Sequence, residues 1–372
     1  MKQLDLVYRT MFAELEQRSL DAHFQQEFPL EGRFVSVPVK GRNYWYFDRP
    51  ETDRVKRVYV GPEDDQDITG RVNAFKEVKD DLRARRKLVS TLTREAGLPR
   101  AEAFTGDVVE AMADAGLFRL RGVLVGTVAY QCYPGILGVR LPSTAMQTGD
   151  ADFAQFHSIS AAVEDTLPPM LDVLARLDPS FREVPHQMDG RKTTKYRNAS
   201  RYEVEFLTPN RGSSEHDGKP APMPALGGTS AQPLRFLDFL IHQPVRSVLL
   251  HKTGVSVLVP APERYAVHKL IIADRRRKDP AGVLKRDKDV HQAGLLGQAL
   301  IETRRQADLA SAFLEAWERG PSWQSALRKG FSYLPDQART LLAAGLSEGL
   351  GQLGEEPERH GLDPLLSPRA AS

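Results

Sequence analysis

Residues 148–153 read TGDADF and residues 202–206 read YEVEF. If each is a strand, successive side chains point to opposite faces. Asp150 and Asp152 then share one face while Ala151 and Phe153 pack below. The carboxylates stand about 7 Å apart at the Cα atoms by strand rise. Such groups repel unless a cation sits between them. A hard divalent ion, Mg²⁺ (or Mn²⁺), takes oxygen ligands and shares them with substrate phosphates. In the second stretch Val204 and Phe206 take one face, Glu203 and Glu205 the other. A third carboxylate beside the aspartates could complete a site for two metal ions about 4 Å apart, the arrangement that clamps attacking and leaving oxygens in phosphoryl transfer. Each pair also has a plain reading: Asp-x-Asp after Thr148-Gly149 fits a turn, and Glu203 with Glu205 fits an exposed strand face.

The elements that must position these acids follow from periodicity. Residues 4–27 have apolar residues near helical spacing. Residues 32–62 hold three short β-rich runs with turn signals at Lys40-Gly41-Arg42 and Arg49-Pro50-Glu51, a three-stranded meander. A long charged helix is expected over 68–96, and another over about 100–115. FRLRGVLVG, residues 118–126, ends in a continuous apolar run and reads as a buried strand. TVAYQCY starts a helix that Pro134-Gly135 interrupts. After the Asp-x-Asp strand come a helix over 158–176 and a third strand over 201–209. Residues 209–233 are rich in Pro, Gly and Ser and read as a long loop. A hairpin covers 245–260 with its turn at Lys252-Thr253-Gly254. A proline-led helix follows from Pro262, and 286–350 reads as helical throughout. The tail from Gly351 reads as loose.

The bulk numbers exclude little but set the frame. The 372 residues suffice for two or three domains. At 41% hydrophobic and 27% charged residues, with a formal net charge of +2, nothing global demands a nucleic-acid partner. A single cysteine, Cys132, rules out an intrachain disulfide and suits a reducing compartment. The charged, amphipathic first residues do not read as a signal peptide, and no apolar run approaches the ~20 residues of a membrane span. A cytoplasmic protein is the expectation.

The order of these elements resembles the nucleotidyltransferase fold of the DNA polymerase β-like superfamily: an apolar strand, Gly-Gly or Gly-Ser, a helix, Asp-x-Asp/Glu, and later a third acid. Here LVGTVAY, TGDADF and VEFLTP stand for these parts, within about 118–210. The proline-led VLVPAPERYAVHKLIIADRRRKD and the later KRDKDVHQA look closest to a bacterial branch with the AbiEii-type toxin nucleotidyltransferases and related uncharacterised proteins. The resemblance then covers about 118–300. It implies that Gly126 and Thr127 approach a triphosphate, helped by a helix N-terminus. It implies that Asp150 and Asp152 bind both metals, and that Glu205 binds the second and helps activate an acceptor hydroxyl, with Glu203 as the alternative if the register slips. Lys269 would contact nucleotide phosphates. The basic run Arg275 to Lys278 would face phosphate or an RNA acceptor. Lys288 and Asp289 match the later element, without a side assigned. His268 reads as a structural or exposed histidine rather than a base. The chain departs from the pattern in Gly-Thr for Gly-Gly, in a longer gap from Gly126 to Asp150, and in Glu for the usual third Asp.

The expected architecture is α+β: a nucleotidyltransferase fold with a small mixed sheet flanked by helices over 116–285. It carries an N-terminal helix, β-meander and helical module over 1–115, a C-terminal helical domain over 286–350 and a tail over 351–372. In KGRNYWYFDR, residues 40–49, bases interleave with aromatics. Such a strip can stack unpaired bases of RNA, but a meander needs one of its faces for a small core, and the core reading is preferred. The module could also bind a protein or form a homo-oligomer. The expected activity is metal-dependent transfer of a nucleoside monophosphate from an NTP to RNA (tRNA in particular), a protein or a small molecule. The alternative is a nucleotide-binding or regulatory protein on the same fold. A metal-dependent phosphodiesterase would need histidine ligands, and His157, His186 and His216 lack ligand spacing.

Overall fold

The computed structural model describes residues 1–28, 32–39, 41–50, 55–75, 82–142, 149–163, 165–210 and 218–362. Helix α1 (Leu6–Glu27) leads into the antiparallel meander β1 (Arg33–Val39), β2 (Arg42–Pro50) and β3 (Val55–Pro62). The aromatic strip builds a core: Phe47 is buried and its ring packs on those of Phe28, Phe34 and Phe75. Trp45 Nε1 donates to Thr69 Oγ1 at 2.7 Å, satisfying the one polar atom of a half-buried indole. Of the turn expected at Arg49-Pro50-Glu51, Arg49 and Pro50 end β2 and Glu51 lies outside the described residues. The long charged helix is described as α2 (Gln66–Ala74), whose first amides donate to the Asp65 side chain, and α3 (Leu82–Arg94), with residues 76–81 outside the description.

Next come α4 (Ala103–Asp114), β4 (Val123–Val125), α5 (Gly126–Tyr130), α6 (Tyr133–Leu137), β5 (Asp150–Ala154), α7 (His157–Ala162) and α8 (Met170–Leu177). Strand β4 is shorter than the apolar run suggested. Arg121 takes a left-handed φ of 64° and the Gly122 amide donates back to Leu117 O, so residues 116–122 form turns rather than strand. The helix expected over 158–176 is broken in two, because Pro168 and Pro169 have no amide hydrogen to continue a helical ladder. Thr148 falls outside the described residues; Gly149 does not.

Strands β6 (Arg182–Pro185), β7 (Thr193–Arg197), β8 (Glu203–Pro209), β9 (Ala221–Pro222) and β10 (Ser230–Leu234) complete a seven-stranded mixed sheet with β4 and β5. Strand β8 is its hub. It runs parallel to β5 on one side; on the other it meets antiparallel β7 along its first half and parallel β10 along its second. The stretch read as a long loop over 209–233 therefore ends in a strand of this sheet. Proline at 233 did not prevent it. Phe153 and Phe206 lie stacked beneath the sheet, with ring centroids 6.0 Å apart and both side chains fully buried. Burial of a phenylalanine contributes roughly 1.5–3 kcal/mol.

After the short α9 (Leu237–Leu240), β11 (Val245–Leu249) and β12 (Val255–Val259) form the expected hairpin, with Gly254 at φ 87° in its turn. Helices α10 (Pro262–Ala273), α11 (Pro280–Glu302), α12 (Gln306–Glu318), α13 (Pro321–Tyr333) and α14 (Asp336–Gln352) follow. Helix α11 begins six residues before the expected 286, where the Asp279 side chain caps the Gly282 amide at 2.7 Å. One hydrophobic core runs from Ala101 to Leu362, so the last helices share it with the sheet. Within the tail, Leu362 is fully buried. None of the described helices is long and apolar enough to cross a membrane.

Candidate functional site

The parallel pairing of β5 with β8 sets Asp150 opposite Glu203 and Asp152 opposite Glu205. Paired residues on neighbouring strands project to the same face about 4.8 Å apart. Ala151, Phe153, Val204 and Phe206 are buried on the other face. Strand β4 lies on the far side of β5, with Val125 opposite Asp152. The next residue, Gly126, has φ 67°, and a Cβ built on it would lie 2.6 Å from Asp152 Oδ2. Glycine is thus required twice over, for its left-handed backbone and for the carboxylate beside it.

The two glutamates have different neighbours. Glu203 accepts from Lys195 Nζ at 2.8 Å and pairs with Arg197, both on β7. Glu205 is 3.6 Å from Lys195 and lines a cleft with Asp150, Asp152, Gly126 and Thr127. Burial, and then the charges of Asp150 and Glu205, push the Asp152 carboxyl up to about 7, against the opposing pull of Lys269 and Lys195. Burial also raises Glu205. Three hard oxygen donors on one face of the sheet form a donor set suited to a divalent cation.

The facing wall comes from α10 and α11. Lys269 Nζ donates to Asp289 Oδ1 at 2.6 Å, and Arg276 Nε donates to Asp289 Oδ2 at 2.6 Å. Lys269 and Asp289 are both buried, and the ammonium also lies 5.1 Å from the Tyr265 ring centroid. The Tyr265 hydroxyl donates to Gly126 O at 2.9 Å, tying α10 to the turn after β4. His268 is buried, and burial followed by the Lys269 charge drives its imidazole down to about 3, so it is neutral near pH 7. Arg235, Arg275, Lys285 and Lys288 complete a basic rim. The cleft encloses about 560 Å³, within the range of ligand pockets.

A family model described as "Nucleotidyltransferase" matches residues 103–318, more than half of the chain. The chain belongs to this nucleotidyltransferase family. No curated protein and no solved structure matches it. The matched span of this nucleotidyltransferase family member contains the whole cleft, from Gly126 to Asp289, and leaves the β1–β3 meander outside.

Gly126, Thr127, Asp150, Asp152, Glu205 and Lys269 all line this cleft, whereas Glu203 is held in ion pairs at its edge. Lys269 is engaged by Asp289 rather than pointing free into the cleft. The helix after Gly126 is a single turn of five residues, so it brings little dipole beyond its own first amides. Asp289 emerges as the buried anchor of the basic wall, and Arg275 as a cleft residue stacked over Phe236. Lys195 and Tyr265 were not singled out by sequence reasoning. The alternating TTKYR run before β8 was the available signal for Lys195.

A second group of possible ligands, Asp107 and Glu110 on α4 with His251, lies elsewhere. Lys252 Nζ sits 2.7 Å from Asp107 and 2.6 Å from Glu110 and supplies the cation there. Of the histidines weighed for a phosphodiesterase, His186 pairs with Gln232 at 2.7 Å and His216 is outside the described residues.

Proposed function

We propose that this nucleotidyltransferase family member catalyses metal-dependent transfer of a nucleoside monophosphate from an NTP to a hydroxyl acceptor, releasing pyrophosphate. The observation that carries this reading is the shared face of Asp150, Asp152 and Glu205 on adjacent strands beside the glycine turn. Asp150, Asp152 and Glu205 would hold Mg²⁺ or Mn²⁺. A divalent ion there neutralises phosphate charge and polarises the phosphorus under attack. The glycine turn leaves room for phosphate oxygens close to backbone amides. The basic wall offsets the remaining triphosphate charge, with Asp289 fixing Lys269 and Arg276 in place. Glu205, its carboxyl raised by burial, serves as acceptor of the hydroxyl proton. Positioning and charge neutralisation supply the rate enhancement.

The acceptor is an RNA (tRNA in particular), a protein side chain or a small molecule. Within the DNA polymerase β-like superfamily, the proline-led segment and the Lys-Asp element support a place near the AbiEii-type toxin proteins, and with it a cytoplasmic toxin or defence role. Residues 1–115 are proposed as an accessory module for acceptor or partner, including a second copy, 116–285 as the catalytic unit, and 286–350 as its helical cover.

The test is incubation with each labelled NTP, Mg²⁺, and total RNA or protein. Label transfer that Asp150→Asn and Asp152→Asn abolish is the expected outcome. A second reading, nucleotide binding without turnover, is favoured by one contact: the Lys195 ammonium 3.6 Å from Glu205 already provides a positive charge beside the third acid. Nucleotide binding with no transfer to any acceptor would decide for it.

A further inference from the structure

A second cavity, of about 410 Å³, lies where three parts of the chain meet. The end of β3 and the start of α2 form one wall, the turns before β4 another, and the β11–β12 hairpin a third. It shares no lining residue with the carboxylate cleft. Phe118, in its wall, meets Phe153 with ring centroids 6.4 Å apart, so the cavity approaches the sheet from the face opposite the carboxylates. The family match begins at residue 103. Strand β3 and helix α2 precede it, so this cavity is built in part from residues outside the matched span.

Phe28, Ile68, Phe118, Val257 and Leu258 are buried and give the cavity apolar walls. Four arginines stand among them, and three are engaged by acids. Arg119 pairs with Asp165 at 2.6 Å. Arg246 reaches Asp65 at 3.1 Å and Asp67 at 3.2 Å. Arg71 pairs with Asp21. Its side chain is only 7% exposed, yet its Nε has no hydrogen-bond partner among the described residues. A buried donor left unpaired is costly. The fourth, Arg121, is exposed at the rim and has no carboxylate partner among the described residues. Its φ of 64° is uncommon for a residue with a Cβ, and such backbone strain clusters at functional positions.

From this we infer that the cavity is a second ligand site, for a small organic monoanion: a carboxylate on an apolar body. Arg121 balances its charge, the unpaired Nε–H of Arg71 gains an acceptor, and the apolar body fills the space between the meander and the hairpin. Arginine is suited to this, because its planar fork matches a carboxylate. The charge count selects a monoanion. Asp21, Asp165, Asp65 and Asp67 already oppose three of the guanidiniums. A triphosphate would set several negative charges against the one that is left, with Asp65 and Asp67 beside it. Bare phosphate would gain nothing from the phenylalanine and leucine walls. The volume is within the range of small-molecule sites. The site stands independently of the chemistry in the carboxylate cleft.

Fluorine NMR of a fluorinated 2-naphthoate, titrated with the full chain, tests this, with the uncharged naphthamide as its control. The variants are Arg121→Gly, which keeps the left-handed backbone and removes the guanidinium, and Ser256→Trp, which fills the cavity from a half-buried position on β12. Lys285→Ala, on the rim of the carboxylate cleft, reports any anion bound there instead. Thermal melts verify that each variant folds, and Arg121→Gly decides alone if the tryptophan is not accommodated. Expected are naphthoate binding about tenfold tighter than that of the amide, several-fold weakening by Arg121→Gly, loss in Ser256→Trp, and no change in Lys285→Ala. No naphthoate binding by the wild type, equal affinity for acid and amide, or unchanged affinity in a folded cavity variant would overturn the site. Weakening by Lys285→Ala would place the anion in the carboxylate cleft and overturn it equally.

Discussion

Lys269 Nζ lies 2.6 Å from Asp289 Oδ1, inside the wall of the cleft, with both side chains less than a tenth exposed. The pair joins α10 to α11 and carries Arg276 as a second cation. Removing one partner of a buried pair leaves an uncompensated charge, which costs about 3–5 kcal/mol. Asp289→Ala should lower the stability measured by urea unfolding by that order. A change within about 0.5 kcal/mol, the usual range for surface substitutions, would show that the pair does not hold the wall.

Gly126 and Asp152 make a second exacting relationship. Gly126→Ala places a methyl group where the Asp152 carboxylate now lies, 2.6 Å away, and forces a left-handed alanine at about 1–2 kcal/mol. Mn²⁺ affinity, read by electron paramagnetic resonance, should weaken by about tenfold, a loss of about 1.4 kcal/mol. Unchanged Mn²⁺ affinity would separate the turn from the carboxylates.

The raised Asp152 carboxyl gives a pH signature. Its value in the folded chain is about 7, above the ordinary 3.8. Its contribution favours folding while both states are protonated and is lost as pH rises through the interval between those values. Without metal, Asp152→Asn should melt above wild type at about pH 8, with the gap closing towards about pH 4. Added Mg²⁺ should raise the wild-type melting temperature more at the higher pH and leave the variant nearly unmoved. Equal metal shifts in the two proteins would argue against Asp152 as a ligand.

His268 acts in the opposite sense. Burial holds it at about 3, below the ordinary 6.5, so its contribution is present above about 6.5 and is lost as pH falls. Urea midpoints of wild type should therefore drop faster than those of His268→Gln between about pH 6.5 and 4. Parallel profiles would mean that another group carries the acid sensitivity.

Much of this site is local in origin. The alternation of acid and apolar residues in DADF and YEVEF determines which side chains share a face, because strand geometry fixes a period of two. The glycine at the end of an apolar run marked the turn. Element ends were less legible: Pro168-Pro169 broke a helix that the apolar pattern alone carried through, and the Pro/Gly-rich stretch hid β10, whose partner lies more than twenty residues upstream.

The sequence by itself determined the α+β class, the acid-bearing strands and the face on which each carboxylate stands. Only the tertiary structure decided which glutamate lines the cleft, since Lys195 and Arg197 reach Glu203 through the pairing of β7 with β8. It alone turned Lys269 towards Asp289. Alternation is a property of one strand's backbone; the partner of a charge depends on which distant segment is packed against it, and a linear sequence does not state that distance.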